Sequence, residues 1–187
     1  MFKEVLAAEF APYGVLSELQ LDQLESHFRF LSQWNAKLNL TRIRELADSV
    51  RFHYCESLFL ARFLPPGSHR IVDIGSGGGF PGIPVAIARP ECEVTLVESH
   101  QRKAVFLRES SRTLKNVCVL SKRAEEIADR FDWLVSRAVA PSDVLNLRVA
   151  DNVALLIGDD DAAGLEGSTE QIPWGEHRVL FHVKRRT

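Results

Sequence analysis

The sequence is poor in the residues that build disulfide frameworks and metal centres. Only three cysteines occur, Cys55, Cys92 and Cys118, and no two of them form a Cys-x-x-Cys pair. An odd number at wide spacing is typical of reduced thiols in the cytosol and argues against a disulfide framework or a zinc site. The six histidines show no ligand spacing either, so we predict that the protein binds no metal.

Long apolar runs and an excess of basic residues are missing as well. No stretch approaches the roughly 20 apolar residues that a membrane-spanning helix needs. The first residues include Glu4 and Glu9 and no extended apolar segment, unlike a secretory signal peptide. A formal net charge of −2 provides no overall attraction to nucleic acid, so RNA binding requires a local basic patch. We therefore expect a cytoplasmic monomer with no membrane partner.

The composition that remains is that of a globular protein with a hydrophobic core, since 45% of the residues are hydrophobic and 26% are charged. A chain of 187 residues suffices for one α/β domain with a helical extension and is too short for two large domains. We predict a single structural domain in two parts. A helical extension at residues 1–66 packs on a sheet, and the sheet-containing core occupies residues 67–187.

The predicted secondary structure is helical at first and then alternates strands and helices. Ser17 and Gln20 have the spacing of a capping box, and the apolar stripe behind them predicts a helix that ends near Asn39. A second helix is predicted from about Ser49 to Leu64. Strands are predicted at residues 70–74, 93–98, 117–120, 132–136, 153–157 and 178–183, and helices near 82–89, 101–114, 124–129 and 142–149. This alternation predicts a Rossmann-like, doubly wound, mostly parallel sheet with a final antiparallel hairpin, and we expect acidic residues 158–167 to form a poorly ordered loop.

The core is organised around residues 71–84, which read IVDIGSGGGFPGIP. An apolar run that carries Asp73 breaks into four glycines and then enters a short helical segment. Glycines permit positive φ angles and remove the Cβ atoms that would hold a ligand at a distance. A turn of this kind outside the carboxyl end of a parallel strand is where open α/β sheets bind nucleotide-like ligands.

The spacing of this turn decides between two cofactor classes. The dinucleotide fingerprint Gly-x-Gly-x-x-Gly would need its third glycine at position 80, which is Phe80. Asp73, two residues before Gly75, would repel a pyrophosphate but suits a positively charged ligand such as S-adenosylmethionine. Glu98, at the end of the next predicted strand, is placed to accept hydrogen bonds from a ribose diol. We therefore predict S-adenosylmethionine as the cofactor and keep an NAD(P)-dependent oxidoreductase as the alternative.

Several further motifs occur in the order in which one family carries them. They are LNLT at residues 38–41, RFHYCESL at 51–58, the glycine turn, VTLVESHQRKAVFLR at 94–108, RAEE at 123–126 and FDWLVSRAVAP at 131–141. Over about residues 20–147 the chain resembles the RsmG family, also called glucose-inhibited division protein B. These are bacterial enzymes that methylate a guanine N7 in 16S ribosomal RNA. The resemblance implies the class I S-adenosylmethionine-dependent methyltransferase fold and a partner that is 16S rRNA or the small ribosomal subunit.

The resemblance also implies roles for individual residues. The residues expected to bind the cofactor are Asp73, Gly75, Gly77, Gly79, Phe80, Glu98, Ala124, Glu125 and Arg137. Ala124 and Glu125 are expected to position the adenine, and Arg137 and Arg123 are the candidate catalytic residues. Guanine N7 carries a lone pair and no proton, so methyl transfer to it needs alignment rather than a general base. Because the methylated base becomes positively charged, we expect Arg137 to hold a phosphate, the O6 edge or the cofactor carboxylate.

The chain departs from the family pattern where RNA would dock. Glu56 stands where Asp is usual, Ile157-Gly158 replaces a lysine-glycine pair, and Val149-Ala150-Asp151 replaces a Pro-Gly-Gly turn. These differences leave the cofactor site intact but keep two alternatives open. One is a protein of the same fold that binds the cofactor without methylating anything, and the other is a methyltransferase for a small molecule. The basic residues near 102–115 and at 184–186 are either RNA contacts or solvated surface.

Overall fold

The computed structural model describes residues 1–184. Within these residues seven strands form one sheet, in the order β3-β2-β1-β4-β5-β7-β6. The strands are β1 (Arg70–Ile74), β2 (Glu93–Val97), β3 (Val117–Leu120), β4 (Phe131–Arg137), β5 (Ala150–Gly158), β6 (Ser168–Gln171) and β7 (Arg178–Lys184). The first five pair in parallel, and β7 runs antiparallel to both β5 and β6. The predicted doubly wound sheet with a closing antiparallel hairpin is therefore confirmed.

Two hydrophobic cores lie on the two faces of this sheet, because successive side chains of a strand point to opposite sides. In β1, Ile71 belongs to the larger core and Val72 to the smaller one. In β5, Leu156 and Leu155 divide in the same way. The larger core also contains the buried residues of the N-terminal helices, so these helices and the sheet share one apolar interior.

The helices of the described residues lie before and between the strands. They are α1 (Phe2–Phe10), α2 (Glu18–Leu38), α3 (Leu46–Ser49), α4 (Glu56–Phe63), α5 (Gly82–Ala88), α6 (Gln101–Ser110), α7 (Pro141–Asn146) and α8 (Asp159–Ala162). Ser17 and Gln20 form the predicted capping box at the start of α2, and Asn39 ends that helix in the left-handed conformation. None of the helices within residues 1–184 combines the length and the apolar character needed to cross a membrane.

The second predicted helix is present but contains an unexpected turn. Residues 46–63 are continuously helical, and Val50–Cys55 between α3 and α4 form a π-helical turn. Such turns are rare, and they occur frequently at functional sites because they redirect side chains. Here the turn buries His53, Tyr54 and Cys55 against the rest of the protein.

Three predictions about the second half of the chain are wrong in detail. The helix predicted at 124–129 is a single 3₁₀ turn, Ala124–Glu126. The fifth strand, predicted at residues 153–157, is longer and extends from Ala150 to Gly158. The segment predicted as a loop contains α8, and β6 follows it. Of the basic residues at 184–186, only Lys184 lies within the described residues.

Candidate active site

The glycine turn follows β1 and is fastened to the neighbouring strand. The N–H groups of Gly75 and Ser76 donate to the Val97 carbonyl at the end of β2, at 2.9 and 3.1 Å. Gly75 has a φ of 71°, in the left-handed region that favours glycine. A Cβ atom on Gly75 would lie 2.6 Å from Cγ2 of Val139, so the loop after β4 packs directly on the turn. Both the backbone conformation and the close approach of Val139 therefore require glycine at position 75.

Asp73 lies inside the protein, with no exposed surface. Its Oδ2 atom accepts a hydrogen bond from the N–H of Gly82, the first residue of α5, at 3.0 Å. Its Oδ1 atom is buried and has no hydrogen-bond partner among residues 1–184. Burial raises the pKa of Asp73 to about 7. Asp73 therefore holds the far end of the turn to β1 and keeps one oxygen available for a donor.

Glu98 joins the end of β2 to the same turn. Its Oε2 atom accepts from the Gly77 N–H at 3.0 Å and its Oε1 atom from the His100 N–H at 2.8 Å. The side chain is almost fully buried. A carboxylate offers about four lone-pair positions, so each oxygen keeps the capacity for a second hydrogen bond. The sequence placed Glu98 beside the turn correctly, but it did not indicate these two backbone donors.

The residues after β3 lie on the other side of the turn. Ala124 is partly buried against the smaller core, whereas Arg123 and Glu125 are exposed. Since β2 and β1 separate β3 from β4, the ends of β3 and β4 lie about 14 Å apart, at a strand spacing of about 4.8 Å. The structure therefore does not bring Arg123 and Arg137 together.

Arg137 ends β4 and is held by the N-terminal helices. Its Nη1 atom donates to the Phe52 carbonyl, and its Nη2 atom lies 2.6 Å from Nδ1 of His53. The guanidinium also sits 5.3 Å from the centre of the Phe80 ring, a favourable cation–π position. Burial lowers the pKa of Arg137 to about 10, which leaves it charged at neutral pH.

His53 is neutral and its proton can be assigned. Burial, followed by the nearby Arg137 charge, lowers the pKa of His53 to about 3. Arginine has no acceptor, so Nδ1 of His53 accepts from Arg137 and the proton must reside on Nε2. Nε2 lies 2.7 Å from Oγ1 of Thr41, which also accepts from the Ile43 N–H at 3.0 Å. His53 therefore connects the π-helical turn to β4 and to the loop after α2.

Glu56 is paired with an arginine that no sequence motif indicated. Its side chain is 1% exposed, and its oxygens accept from Nε and Nη2 of Arg178 at 3.1 and 2.9 Å. Arg178 is the first residue of β7 and lies 122 positions away in the chain, so no local pattern could have indicated the pair. A cleft of about 350 Å³ opens beside the pair, lined by Ile43, Phe52, Glu56, Arg137, Ala138 and Arg178.

Phe80 lies within an aromatic cluster beneath the turn. Its ring stacks on His53 with centroids 4.6 Å apart and meets the edges of Tyr54 and His27. His27 donates from Nε2 to the Gly78 carbonyl at 3.0 Å, so its Nδ1 accepts from the Tyr54 hydroxyl at 2.9 Å. Burial lowers the pKa of His27 to about 4. The ring of Phe80 therefore packs the end of the glycine turn against the N-terminal helices.

No cluster of three or more His, Cys, Asp or Glu side chains with a metal-binding arrangement occurs within residues 1–184. The site contains three buried carboxyl groups (Asp73, Glu98 and Glu56), neutral histidines, Arg137 at the end of β4 and Arg178 at the start of β7. Asp73 and Glu98 hold the glycine turn, and Arg137, Glu56 and Arg178 lie beside it along the carboxyl edge of the sheet. This is the position at which a doubly wound sheet binds its ligand.

Comparison with known sequences identifies relatives. A family model described as rRNA small subunit methyltransferase G (GidB) matches residues 20–159. A Neisseria gonorrhoeae protein named ribosomal RNA small subunit methyltransferase G is 39% identical over 142 residues, covering 74% of this chain and 68% of the relative. Proteins of the same name from Chromobacterium violaceum and Dichelobacter nodosus are 42% and 44% identical, and the match covers 66% and 64% of this chain. The matches cover 60% and 58% of those two relatives, so the chain spans about three fifths of their length.

Comparison with solved structures confirms the predicted fold class. A SAM-dependent methyltransferase from Aquifex aeolicus superposes with a TM-score of 0.55 at 12% identity, covering 72% of this chain and 91% of that one. A SAM-dependent O-methyltransferase from Thermotoga maritima gives a TM-score of 0.58 at 14% identity, with coverages of 84% and 72%. At such identities the likeness establishes the fold alone, the class I methyltransferase fold. The sequence match over residues 20–159 goes further and shows that this chain belongs to the rRNA small subunit methyltransferase G (GidB) family.

Proposed function

We propose that this protein is an S-adenosylmethionine-dependent methyltransferase that transfers a methyl group to N7 of a guanine in 16S ribosomal RNA. Membership of the family and the names of the relatives support action on small-subunit rRNA. The observation that carries the proposal is the convergence of Asp73, Glu98 and Arg137 on one glycine turn, from the ends of three adjacent strands. The protein is further proposed to act in the cytoplasm as a monomer. It is also proposed to act without metal, because N7 needs no metal-activated group.

S-Adenosylmethionine fits the residues at the turn. The buried Oδ1 atom of Asp73 can accept a hydrogen bond from a cationic amino group, and Gly75 provides the positive φ angle that the turn requires. Glu98 retains lone pairs for ribose hydroxyls, and the 3₁₀ turn that contains Ala124 and Glu125 lies beyond β3, where adenine would be positioned. A pyrophosphate would face two carboxyl groups there, so these residues favour S-adenosylmethionine over NAD(P). When bound, this cofactor supplies an electrophilic methyl group on a sulfonium centre.

The protein's own residues have a limited chemical task in such a reaction. The N7 lone pair attacks directly, so catalysis depends on alignment and on the exclusion of water. Arg137 is anchored by Phe52 and His53, which fixes its charge at the substrate side of the turn. Because methylation makes the base positive, Arg137 acts best on O6 or on a phosphate and not on N7 itself.

The test is transfer of a radiolabelled methyl group from S-adenosylmethionine to 30S subunits and to naked 16S RNA that lack the modification. We expect incorporation into one guanine, and strand cleavage after borohydride and aniline treatment identifies N7-methylguanine. Calorimetry with S-adenosylmethionine and NADH checks the cofactor in the absence of any substrate. Binding of NADH alone would contradict the proposal.

One alternative is a protein of this fold that binds the cofactor but has lost or changed its substrate. It is favoured by one observation: Arg178, which pairs with Glu56 beside Arg137, lies beyond the residues that match the family. Running the same assay with small acceptors separates the possibilities. Transfer to a small molecule alone would indicate a different substrate, and cofactor binding without transfer to either class would indicate a non-enzymatic protein.

A further inference from the structure

Two guanidinium groups share one buried carboxylate beside the candidate site. Glu56 accepts two hydrogen bonds from Arg178, and its Oε2 atom lies 3.9 Å from Nη1 of Arg137. The side chains of Arg178 and Arg137 are 31% and 16% exposed, so water solvates both charges only in part. One negative charge therefore faces two positive charges in a confined space.

The other close contacts of Arg137 do not balance its charge. The Phe52 carbonyl and the neutral His53 are dipoles without net charge, and the face of Phe80 contributes only a quadrupole. Asp73 is the other acid whose charge acts on Arg137, but burial raises its pKa to about 7, so it is only partly ionised at neutral pH. The excess positive charge calls for an anion from outside the chain, because partly desolvated charges are stable when paired.

The cleft next to these arginines has room for such an anion. Its volume is about 350 Å³, and Ala138 and Ile43 complete its wall between the charged groups. The hydrogen bonds of Arg178 within residues 1–184 use Nε and Nη2, and those of Arg137 use Nη1 and Nη2. Guanidinium carries five N–H groups and binds phosphate oxygens in pairs, so each arginine retains donors for a phosphate.

The position of the cleft separates it from the cofactor. Arg178 begins β7 opposite Gly158, at the end of β5, so the cleft lies over β4, β5 and β7. The glycine turn, Glu98 and Ala124 follow β1, β2 and β3, on the other half of the same sheet edge. Arg137 stands at the boundary between the halves. A ligand that reaches Arg178 therefore lies on the substrate side.

We propose that Arg137, Arg178 and Glu56 form a subsite for a backbone phosphate of the RNA substrate. Arg178 supplies the excess positive charge that attracts the phosphate, and Glu56 neutralises one of the two guanidinium charges. The inference rests on the proposed function, because it takes RNA to be the substrate. Arg178 lies outside residues 20–159, so the family match does not assign it this role.

Charge variants test the subsite through effects of opposite sign. In Arg178→Gln, Glu56 neutralises Arg137 and no excess positive charge remains, so we expect the KM for RNA to rise at least 10-fold. We also expect the slope of log KM against log salt concentration to weaken by about 0.7, which is the value for one phosphate contact with a single strand. Glu56→Gln adds positive charge, so we expect a lower KM at low salt and a steeper salt dependence. The double variant restores the wild-type charge and is expected to lie near the wild type.

A purely structural role for the pair predicts a different pattern, in which both single variants lose activity in the same direction. Arg130→Gln is the matched control, since Arg130 pairs with Asp151 at 2.6 Å on the exposed, opposite edge of the sheet. We expect this control to change neither KM nor the salt dependence measurably. Equal losses in both single variants, or a Glu56→Gln variant with weaker RNA binding than Arg178→Gln, would overturn the inference.

A second measurement uses the wild-type protein and does not depend on variants that fold. Inorganic phosphate is expected to inhibit methyl transfer competitively with RNA and without effect on S-adenosylmethionine affinity. Competition with S-adenosylmethionine would assign the arginines to the cofactor carboxylate, and no competition at matched ionic strength would contradict the subsite. If the wild type transfers no methyl group at all, the proposed function fails. Calorimetric titration of inorganic phosphate into the wild type and Arg178→Gln still tests the subsite, because the wild type should bind it more tightly.

Discussion

The Nδ1 atom of His53 accepts a hydrogen bond from Nη2 of Arg137 over a distance of 2.6 Å. The pair connects the π-helical turn of the N-terminal helices to the end of β4, across 84 positions of sequence. It holds the guanidinium of Arg137 beside the ring of Phe80, at the end of the glycine turn. The orientation of the guanidinium depends on a neutral imidazole, whose own proton is directed to Thr41.

The first prediction concerns this hydrogen bond. His53→Leu removes the acceptor for Arg137 and should lower kcat for methyl transfer at least 10-fold, with little change in S-adenosylmethionine affinity. His53→Asn offers an amide oxygen near the place of Nδ1, so it should retain more activity than the leucine variant. Steady-state kinetics on 30S subunits measures both. If a folded His53→Leu protein turns over like the wild type, His53 does not position Arg137.

The second prediction concerns Glu98 and the cofactor. Glu98→Gln replaces one accepting oxygen by an amide N–H group, so the carboxylate can no longer serve both backbone donors and a ribose diol. Hydrogen bonds to a charged group contribute about 1.5–3 kcal/mol, which predicts a loss of about 10- to 100-fold in S-adenosylmethionine affinity. Glu93→Gln, at the exposed start of the same strand, is the control and should bind normally. Equal affinities of the two variants by calorimetry would refute a role for Glu98.

The third prediction concerns Asp73 and stability. Burial raises the folded-state pKa of Asp73 from 3.8 to about 7. Because the folded-state pKa is raised, the contribution of Asp73 to the free energy of unfolding is complete below pH 3.8 and is lost as the pH rises through about 7. The difference between the folded-state and unfolded-state pKa corresponds to about 4 kcal/mol of unfolding free energy. The unfolding free energy of the wild type, relative to Asp73→Asn, should therefore decrease by about this amount between pH 4 and pH 8 in urea titrations. Parallel pH profiles would show that Asp73 is ionised throughout.

The fourth prediction concerns His27 and has the opposite sign. The folded-state pKa of His27 is lowered from 6.5 to about 4. Its contribution to stability is present above pH 6.5 and is lost as the pH falls through about 4. His27→Gln keeps an N–H donor for the Gly78 carbonyl but does not titrate. The wild type should therefore lose about 3 kcal/mol relative to this variant between pH 7 and pH 4, and a constant difference would contradict the buried, neutral state of His27.

The fifth prediction concerns the close packing behind the turn. A Cβ atom on Gly82 would lie 2.2 Å from Cδ2 of Leu96 and 2.6 Å from Oδ2 of Asp73. Gly82→Ala should therefore destabilise the protein by about 1–3 kcal/mol, the usual cost of overpacking. Gly14→Ala is the control, because its Cβ atom would make an ordinary contact of 3.4 Å with Phe10. Thermal unfolding distinguishes the two variants. Equal melting temperatures would show that the side chains around Gly82 can move to make room for a Cβ atom.

The sequence predicted those features whose cause lies within a few neighbouring residues. The capping box of Ser17 and Gln20 and the glycine turn depend on local backbone conformation, so their patterns are visible along the chain. The strand β6 (STEQ) was missed because its four residues are exposed and carry no apolar alternation. It forms because β7 offers it a free edge. The helix predicted at 124–129 is reduced to one 3₁₀ turn, and Ile127 directly after it is buried in the smaller core.

The sequence by itself determined the fold class, the family and the position of the glycine turn, because apolar periodicity and short-range motifs specify them. Only the tertiary structure decided the partners of the charged groups. It joined Arg137 to His53 and Glu56 to Arg178, although 84 and 122 positions separate the members of these pairs. The physical reason is that a buried charged group forms hydrogen bonds with whichever polar groups the packed strands and helices bring within about 3 Å. The pairing therefore depends on how β4 and β7 are positioned relative to the N-terminal helices, and no local sequence pattern encodes that arrangement.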